Sequence, residues 1–234
     1  MLIHHRHLPA SLSQKKDGRV QFLIDFRRLN EQLERRPYAI PKISTLLQGI
    51  PKFFMVSSLD MNMGYYSTVL DKTSSKYTAF VVPWGKFRFL RLPMGISTAP
   101  DEFQARMQAL LGYLPCIRVY LDDVLVLTET CYKDHMQELE QVFVRLKAAG
   151  LQCNAQKCNF AAYETEYLGY KLAQTGIQPQ VKKIAAIQAI AELVNKKELR
   201  RFIGLCNYYR DLWPQRAHTM APLTSLCSSK VVFK

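Results

Sequence analysis

The sequence predicts an α+β fold in which a β-rich first part is followed by a mixed middle part and a helical last part. Apolar and polar residues alternate over 20–26, as in a strand that is at least half buried. Strand-like and helix-like spacings of apolar residues then follow one another between 93 and 175. From Val181 onward only helical spacing remains. The change near Gly176 therefore predicts an α+β body joined to a small helical module.

The first hundred residues carry signals for two hairpins. Asp17-Gly18 is a favoured hairpin turn, and it directly precedes the alternating run 20–26. Prolines exclude long helices over 37–51, apart from a short helical turn around 43–48. The β-rich runs 77–82 and 87–92 flank a turn segment that contains Pro83 and Gly85. This pattern predicts the second hairpin.

Helices and strands alternate in the middle of the chain. Thr98 precedes Pro100 and an apolar stripe that includes Phe103 and Met107, which predicts a capped helix. Residues 117–128 read as a strand, a tight acidic turn and a second strand. A helix over 132–149 follows, and its predicted buried stripe consists of Met136, Leu139, Phe143 and Leu146.

The end of the chain is predicted to hold short strands and then helices. The strands lie between 152 and 172 and are broken near Asn159 and Gly169. One predicted helix contains Ile184, Ile187, Ala191 and Val194. The next predicted helix contains Leu199, Phe202, Ile203, Cys206 and Trp213.

The composition favours a polyanionic partner. The chain has 32 Lys and Arg against 19 Asp and Glu, and its formal net charge is +13. Basic side chains near phosphates release condensed counterions, so nucleic acid is favoured over the alternative of a merely basic protein. No apolar run reaches the roughly 18 residues of a membrane span, so no membrane association is expected.

The cysteines and the N-terminal histidines do not suggest a metal site. The six Cys form no CxxC pair, and we interpret them as thiols of a protein in a reducing, intracellular compartment. His4, His5 and His7 have no acidic neighbour, so a solvated cluster is favoured over metal ligation.

Acidic side chains interrupt two apolar runs. Asp122 and Asp123 lie inside the run 117–127, and Asp60 ends the run 55–59. An adjacent Asp pair is usually an exposed turn, but strands this apolar on both sides are typical of a sheet centre. If the two strands are neighbours, Asp60 and Asp122 converge and can hold cations through oxygen ligands. Such ligands favour Mg²⁺ or Mn²⁺, and two ions about 3.5–4 Å apart suit in-line phosphoryl transfer.

Five ordered motifs resemble the reverse transcriptases of gypsy-class LTR retrotransposon polyproteins. Tyr120-Leu121-Asp122-Asp123 is similar to the catalytic tetrapeptide of that family, and 59–65 is similar to its first catalytic segment. Residues 92–104 resemble the block after the second fingers hairpin, and 167–170 resemble the primer grip. Residues 199–210 resemble the thumb.

The resemblance implies a right-hand polymerase fold. Its parts would be fingers (1–54), palm (55–74), a fingers hairpin (75–92), palm with an antiparallel sheet packed on helices (93–175) and a partial helical thumb (176–234). The implied activity is that of an RNA-directed DNA polymerase, which adds dNTPs to the 3′-hydroxyl of a primer with two Mg²⁺ ions. RNA and DNA template–primer duplexes would be its partners.

The resemblance also assigns roles to single residues. It implies that the catalytic and metal-binding residues are Asp60, Asp122 and Asp123. Contact with the dNTP falls to Lys15, Lys16, Met61, Asn62, Met63, Gly64, Tyr65, Met94 and Gly95. Contact with nucleic acid falls to Tyr120, Leu168, Gly169, Tyr170, Lys182, Lys183, Arg200 and Arg201. The alternatives are a core aromatic for Tyr65, and solvated side chains for the basic residues.

Some features depart from the family pattern and keep other functions open. Gln21 stands where the family usually has an Arg that grips the triphosphate. The chain is expected to be a piece of a larger polyprotein, without its ribonuclease H and integrase domains, or a decayed copy. It would reside in the cytoplasm or in virus-like particles. An inactive remnant that binds nucleic acid is one alternative, and another palm-bearing enzyme such as a nucleotide cyclase is a second.

Overall fold

The structure is a computed structural model, which describes residues 8–14, 18, 20–229 and 231. The strands are β1 Ala10–Gln14, β2 Val20–Ile24, β3 Met55–Asp60, β4 Phe80–Val82, β5 Gly85–Phe87, β6 Ile117–Tyr120, β7 Asp123–Thr128, β8 Asn159–Ala162, β9 Glu164–Tyr167, β10 Tyr170–Ala173 and β11 Gly176–Pro179. The helices are α1 Arg27–Asn30, α2 Ile43–Gln48, α3 Lys72–Tyr77, α4 Ala99–Leu111, α5 Tyr132–Ala148, α6 Val181–Gln188, α7 Lys196–Asn207 and α8 Arg216–Leu226.

An antiparallel sheet of four strands in the order β6-β7-β3-β8 holds the centre of the fold. β7 pairs with β3 over the whole of both strands, from Met55 opposite Thr128 to Asp60 opposite Asp123. The predicted strand–turn–strand unit over 117–128 is therefore confirmed, and so is the condition that β3 lies beside it. β6 is an edge strand of this sheet among the described residues, so of the two strands in this unit only β7 lies in the interior, beside β3.

The two faces of this sheet bury two different cores, because side chains alternate along a strand. On one face, Val124 and Val126 of β7 are fully buried with residues of α4 and α5, including Phe103 and Leu146. On the other face, Leu125 and Leu127 of β7 belong to a second core. That core also contains Leu46 and Leu47 of α2, Tyr167 of β9, Tyr170 and Leu172 of β10, and Tyr209.

Both hairpins predicted in the first hundred residues are present, but the second is shorter than predicted. β1 pairs with β2, and β4 pairs with β5, in antiparallel register. Tyr77 ends helix α3 instead of beginning a strand, and 88–92 lies outside the named strands. The reason is local capping: the carboxylate of Asp71 accepts hydrogen bonds from the backbone N–H groups of Thr73 and Ser74, which starts the helix.

The buried stripe predicted for the helix after the acidic turn is wrong at two positions. Met136 and Phe143 are 42% and 37% exposed, whereas His135, Leu139, Val142 and Leu146 are buried. The stripe includes a histidine because both ring nitrogens of His135 have hydroxyl partners. Counting only apolar residues overlooked this position.

The last helices also begin and end elsewhere than predicted. Asn195 accepts a hydrogen bond from the backbone N–H of Glu198, and the Glu198 carboxylate accepts one from the N–H of Val194. This reciprocal cap starts α7 at Lys196, so Ala191 and Val194 lie outside any helix. Trp213 likewise lies beyond α7.

The remaining differences concern the short strands and the division of the chain. Asn159 begins β8 instead of breaking a strand, and β11 is an additional strand that starts at Gly176. The division into fingers, palm and thumb stays a prediction. No helix within the described ranges is both long and apolar enough to cross a membrane.

Candidate active site

Three carboxylates meet where β3 and β7 end at the same edge of the sheet. Asp60, the last residue of β3, lies opposite Asp123, the first residue of β7. Asp122 precedes Asp123 in the turn that follows β6, and its carbonyl accepts a hydrogen bond from the N–H of Met61 at 2.9 Å. The pairing between the strands thus brings together the side chains that the sequence predicts to converge.

The three carboxylates repel one another. Burial, and secondarily the neighbouring charges of Asp123 and Asp60, raise the pKa of Asp122 to about 6, while Lys157 opposes the effect. Burial and the charge of Asp60 also raise the pKa of Asp123, again against Lys157. The edge of the sheet therefore concentrates negative charge that a cation would relieve.

One oxygen of this cluster lacks a hydrogen-bond partner. Oδ1 of Asp122 is buried without a protein donor. Beside it, Gly64 has no room for a side chain, because a Cβ there would lie 2.7 Å from Asp122 Oδ1 and 2.5 Å from Cζ of Phe103. A buried acceptor with no donor normally costs free energy, and a bound cation would satisfy it.

The carboxylates suit Mg²⁺ in their chemistry, because hard divalent cations prefer oxygen ligands. Within the described part of the chain, no three His, Cys, Asp or Glu side chains are grouped so that they could hold a metal ion on their own. Mg²⁺ sites commonly remain open and are completed by waters and substrate phosphates. The residues therefore fit an open site of that kind.

Lys157 is a neighbour of the cluster that sequence reasoning missed. Its Nζ lies 3.2 Å from both carboxylate oxygens of Asp60. The side chain is 63% exposed, so the ion pair is open to solvent and easily rearranged. No local pattern around Lys157 indicates this contact, because it depends on the packing of 153–158 against the end of β3.

Gln104 is a second residue that sequence reasoning did not single out for the site. It is fully buried in α4, where Oε1 accepts a hydrogen bond from the N–H of Leu121 at 2.6 Å and Nε2 donates to the carbonyl of Val119 at 3.3 Å. Leu121 has a left-handed conformation with φ 52°, which is unfavourable for leucine. Gln104 thus holds the strained turn that presents Asp122. A lone amide on the apolar face of a helix was the available signal.

Tyr65 lies at the border of the cluster. Its ring packs against Phe103 with 5.3 Å between the ring centroids. Burial, and secondarily the charge of Asp122, raise the pKa of Tyr65 to about 12. The side chain is only partly buried, so it is neither a plain core residue nor a freely exposed one.

The predicted dNTP-binding residues have different surroundings. The backbone N–H groups of Met61 and Asn62 are already bonded to the carbonyls of Asp122 and Gln152, so they are not free donors for a triphosphate. Met63 is 63% exposed. Met94 and Gly95 are exposed, and the carbonyl of Gly95 accepts a hydrogen bond from Asn30. Lys15 and Lys16 lie outside the described residues.

The predicted nucleic-acid-binding residues fall into two groups. Lys182, Lys183, Arg200 and Arg201 are exposed on α6 and α7, where they could reach a phosphate backbone. Arg200 also donates to the carbonyl of Cys227. Leu168 and Gly169 form the turn between β9 and β10, whereas Tyr170 is buried and Tyr120 packs at the edge of the second core.

Comparison with known proteins shows the family of this chain. The family model described as reverse transcriptase (RNA-dependent DNA polymerase) matches residues 13–172. The chain belongs to the reverse transcriptase family. The match includes the three clustered carboxylates, and it confirms the family predicted from the five motifs.

Polyproteins of transposons are among its relatives. The chain is 31% identical to the Transposon Tf2-3 polyprotein of Schizosaccharomyces pombe over 97% of its length and 17% of that polyprotein. It is 33% identical to the retrovirus-related Pol polyprotein from transposon 297 of Drosophila melanogaster, over 89% of the chain and 20% of the polyprotein. The chain therefore spans about a fifth of the curated relatives that it matches.

A solved reverse transcriptase has the same fold. The foamy viral protease-reverse transcriptase in complex with an RNA/DNA hybrid superimposes with a TM-score of 0.84 and 29% identity. The alignment covers 97% of this chain and 30% of the viral one. The predicted right-hand polymerase fold is thereby confirmed.

Proposed function

We propose that this reverse transcriptase domain extends a primer with deoxynucleotides on RNA and DNA templates. The carboxylate cluster carries the proposal, because Asp60, Asp122 and Asp123 lie at one sheet edge and Asp122 Oδ1 is buried without a donor. The match to the reverse transcriptase family over 13–172 and the helical end of the chain favour a polymerase over a nucleotide cyclase. The RNA/DNA hybrid bound by the foamy viral relative supports the choice of partner.

The three carboxylates would hold divalent metal ions, with Mg²⁺ as the natural ion and Mn²⁺ as a substitute. When bound, such ions activate the primer hydroxyl and neutralise charge on the triphosphate and pyrophosphate. Asp122 and Asp123 would have to be ionised for this role, and a bound cation would favour their ionised form against the raised pKa values of the metal-free cluster. Gln104 keeps the turn that carries Asp122 in its left-handed conformation.

Other side chains would bind and select the substrates. Tyr65, held against Phe103 next to Asp122, would block the space of a 2′-hydroxyl and so exclude ribonucleotides. The turn at Met63 and Gly64 would face the triphosphate, in place of the occupied N–H donors of Met61 and Asn62. The basic residues of α6 and α7 would follow the duplex backbone by charge attraction. Residence in the cytoplasm or in virus-like particles stays part of the proposal.

A primer-extension assay tests the proposal. The chain is given a primed RNA or DNA template, dNTPs and Mg²⁺, beside the variants Asp122→Asn and Asp134→Asn. Asp134 is a matched control because it lies in the first turn of α5, where its carboxylate accepts from the hydroxyl of Thr130. We expect extension by the parent and by Asp134→Asn, and none by Asp122→Asn.

The same assay separates the inactive-remnant alternative. A remnant would bind the duplex in a salt-sensitive way without extending the primer in Mg²⁺ or Mn²⁺. Equal extension by Asp122→Asn and by the parent would exclude the proposed role of the cluster. Incorporation of ribonucleotides should increase in a Tyr65→Ala variant if the ring excludes the 2′-hydroxyl.

A further inference from the structure

The turn between β9 and β10 is fixed to α7 by the hydroxyl groups of tyrosines. Tyr208 Oη donates to the carbonyl of Leu168 at 2.5 Å, and Tyr209 Oη donates to the carbonyl of Gly169 at 2.9 Å. In the opposite direction, Tyr170 Oη donates to the carbonyl of Tyr208 at 2.7 Å. Contacts therefore run both ways between the turn and the end of α7. We call Tyr170, Tyr208 and Tyr209 together the tyrosine latch.

The rings of the tyrosine latch also pack on one another. Their centroids are 5.4 Å apart for Tyr170 and Tyr208, 5.2 Å for Tyr170 and Tyr209, and 5.1 Å for Tyr208 and Tyr209. These separations lie in the range in which aromatic pairs attract. Tyr209 and Tyr170 are 7% and 4% exposed, while Tyr208 is 44% exposed at the border of the group. The latch is thus a packed contact and not a set of solvated side chains.

The turn has a conformation that leaves its carbonyl groups available. Leu168 and Gly169 both have positive φ, at 47° and 78°, as in the tight hairpin turns that match strand twist. A Cβ at Gly169 would lie 3.0 Å from the hydroxyl of Tyr208. Gly169 is therefore required both by its φ and by the close approach of the latch.

The hairpin that carries the turn also contacts the catalytic turn. Tyr167, the last residue of β9, is 3% exposed, and its hydroxyl donates to the carbonyl of Asp123 at 3.5 Å. Tyr167 and Tyr209 lie in the same core as Leu125 of β7. One continuous set of contacts thus runs from α7 through the Leu168-Gly169 turn to the strand that begins at Asp123.

We propose that Tyr208 and Tyr209 are positioning residues, which hold the Leu168-Gly169 turn and the basic helix α7 in one fixed arrangement around a bound primer–template duplex. The inference rests on the proposed polymerase function. If the turn contacts the primer while α7 contacts the duplex backbone, their fixed separation keeps the primer end at the carboxylates during successive additions. The hydroxyl groups fix this separation through their hydrogen bonds, and the rings supply the packing.

Removal of the hydroxyl groups alone tests the proposal. The variants are Tyr208→Phe, Tyr209→Phe and the double change, with Tyr132→Phe as a control at an exposed tyrosine of α5. The rings remain, so any stacking on bases remains as well. Each lost hydrogen bond is worth about 1 kcal/mol, or about fivefold in an equilibrium constant, so the double variant should bind a primer–template duplex up to about thirtyfold more weakly.

The kinetic signature distinguishes positioning from general destabilisation. With a trap for free enzyme, the double variant should add severalfold fewer nucleotides per binding event. At saturating duplex, its rate for a single addition should fall by a smaller factor than the number of nucleotides added per binding event, because the carboxylates themselves are untouched. A shared loss of rate, affinity and folded fraction would instead indicate a purely structural role and overturn the proposal.

A double-mutant cycle tests the contact without any need for catalysis. Gly169→Ala is strained by its backbone in every background, but its clash with the Tyr208 hydroxyl exists only when that hydroxyl is present. Gly169→Ala should therefore weaken duplex binding by a larger factor in the parent than in Tyr208→Phe. Additive effects of the two changes would show that the Tyr208 hydroxyl does not contact the turn, which would contradict the proposal.

The outcomes separate this inference from the proposed function. A parent that extends primers, with the double variant indistinguishable from Tyr132→Phe, overturns the latch and leaves the polymerase proposal intact. A parent that binds duplex but never extends overturns the polymerase function. Duplex affinity and the cycle then decide whether the latch orders the binding surface, and unchanged affinity would overturn it as well.

Discussion

Two polar side chains beside the central sheet have opposite surroundings. His135 is fully buried behind β3 and β7, and both of its ring nitrogens have hydroxyl partners, Ser57 at 2.7 Å and Thr128 at 2.8 Å. Asp122, at the end of the same sheet, has a buried oxygen without a donor and two like-charged neighbours. A satisfied polar group stabilises the fold, whereas an unsatisfied one is costly unless a ligand completes it. The contrast separates a structural group from a functional one.

The largest effect that would test this contrast is expected at Gly64. In Gly64→Ala, the new Cβ would meet both Asp122 Oδ1 and the Phe103 ring, so the carboxylate must shift. A displacement of about 1 Å at a reacting centre costs roughly a hundredfold in rate, and we expect at least that loss in primer extension.

Gly204→Ala is the control for this change, because a Cβ there would meet no atom within 4 Å. It lies inside α7, where replacement of glycine should stabilise the helix by about 0.5–1 kcal/mol. Extension by Gly64→Ala at the parental rate would show that the space beside Asp122 is not needed.

The next effect concerns stability and the satisfied group. In His135→Leu, the hydroxyl groups of Ser57 and Thr128 lose their buried partner, which should lower the free energy of unfolding by about 2–3 kcal/mol. Denaturant unfolding measures this loss. His218→Leu, at an exposed position of α8, should change stability by less than about 0.5 kcal/mol. Equal stability of the two variants would contradict the structural role of His135.

Local signals in the sequence explain how much of the fold could be predicted. The acidic turn between β6 and β7, and helices α4 and α5, follow from apolar spacing within a few residues. The helix α3 was missed because its capping Asp71 outweighs the β propensity around Tyr77. The pairing of β3 with β7 was only a condition, since it depends on contacts far apart in the chain.

The site was predictable in its carboxylates and not in their surroundings. Asp60, Asp122 and Asp123 stand out because charges interrupt apolar runs. Lys157 reaches Asp60 only through the tertiary fold, and His135 looks like a surface residue until its two partners are known. Tyr208 and Tyr209, which follow α7, similarly resemble basic-surface or core residues until their hydroxyl partners are known. Long-range hydrogen bonds are the feature that sequence patterns omit.

The smallest effect is a pH dependence of opposite sign for the two groups in the metal-free protein. The pKa of Asp122 rises from 3.8 to about 6 on folding, so its contribution to stability is present below pH 3.8 and lost as pH rises through 6. The pKa of His135 is lowered from 6.5 by burial, so its contribution to stability is present above pH 6.5 and lost as pH falls below it.

Asp122→Asn removes the contribution of Asp122 and should stabilise the protein at pH 7.5 by about 1 kcal/mol, because solvent screens part of the repulsion. The gain should vanish near pH 4, where the parent carboxyl is largely protonated. Unfolding of both proteins across this range measures the difference. A gain in stability that is the same at pH 4 and pH 7.5 would mean that folding does not raise the pKa of Asp122. The contrast with His135 would then fail.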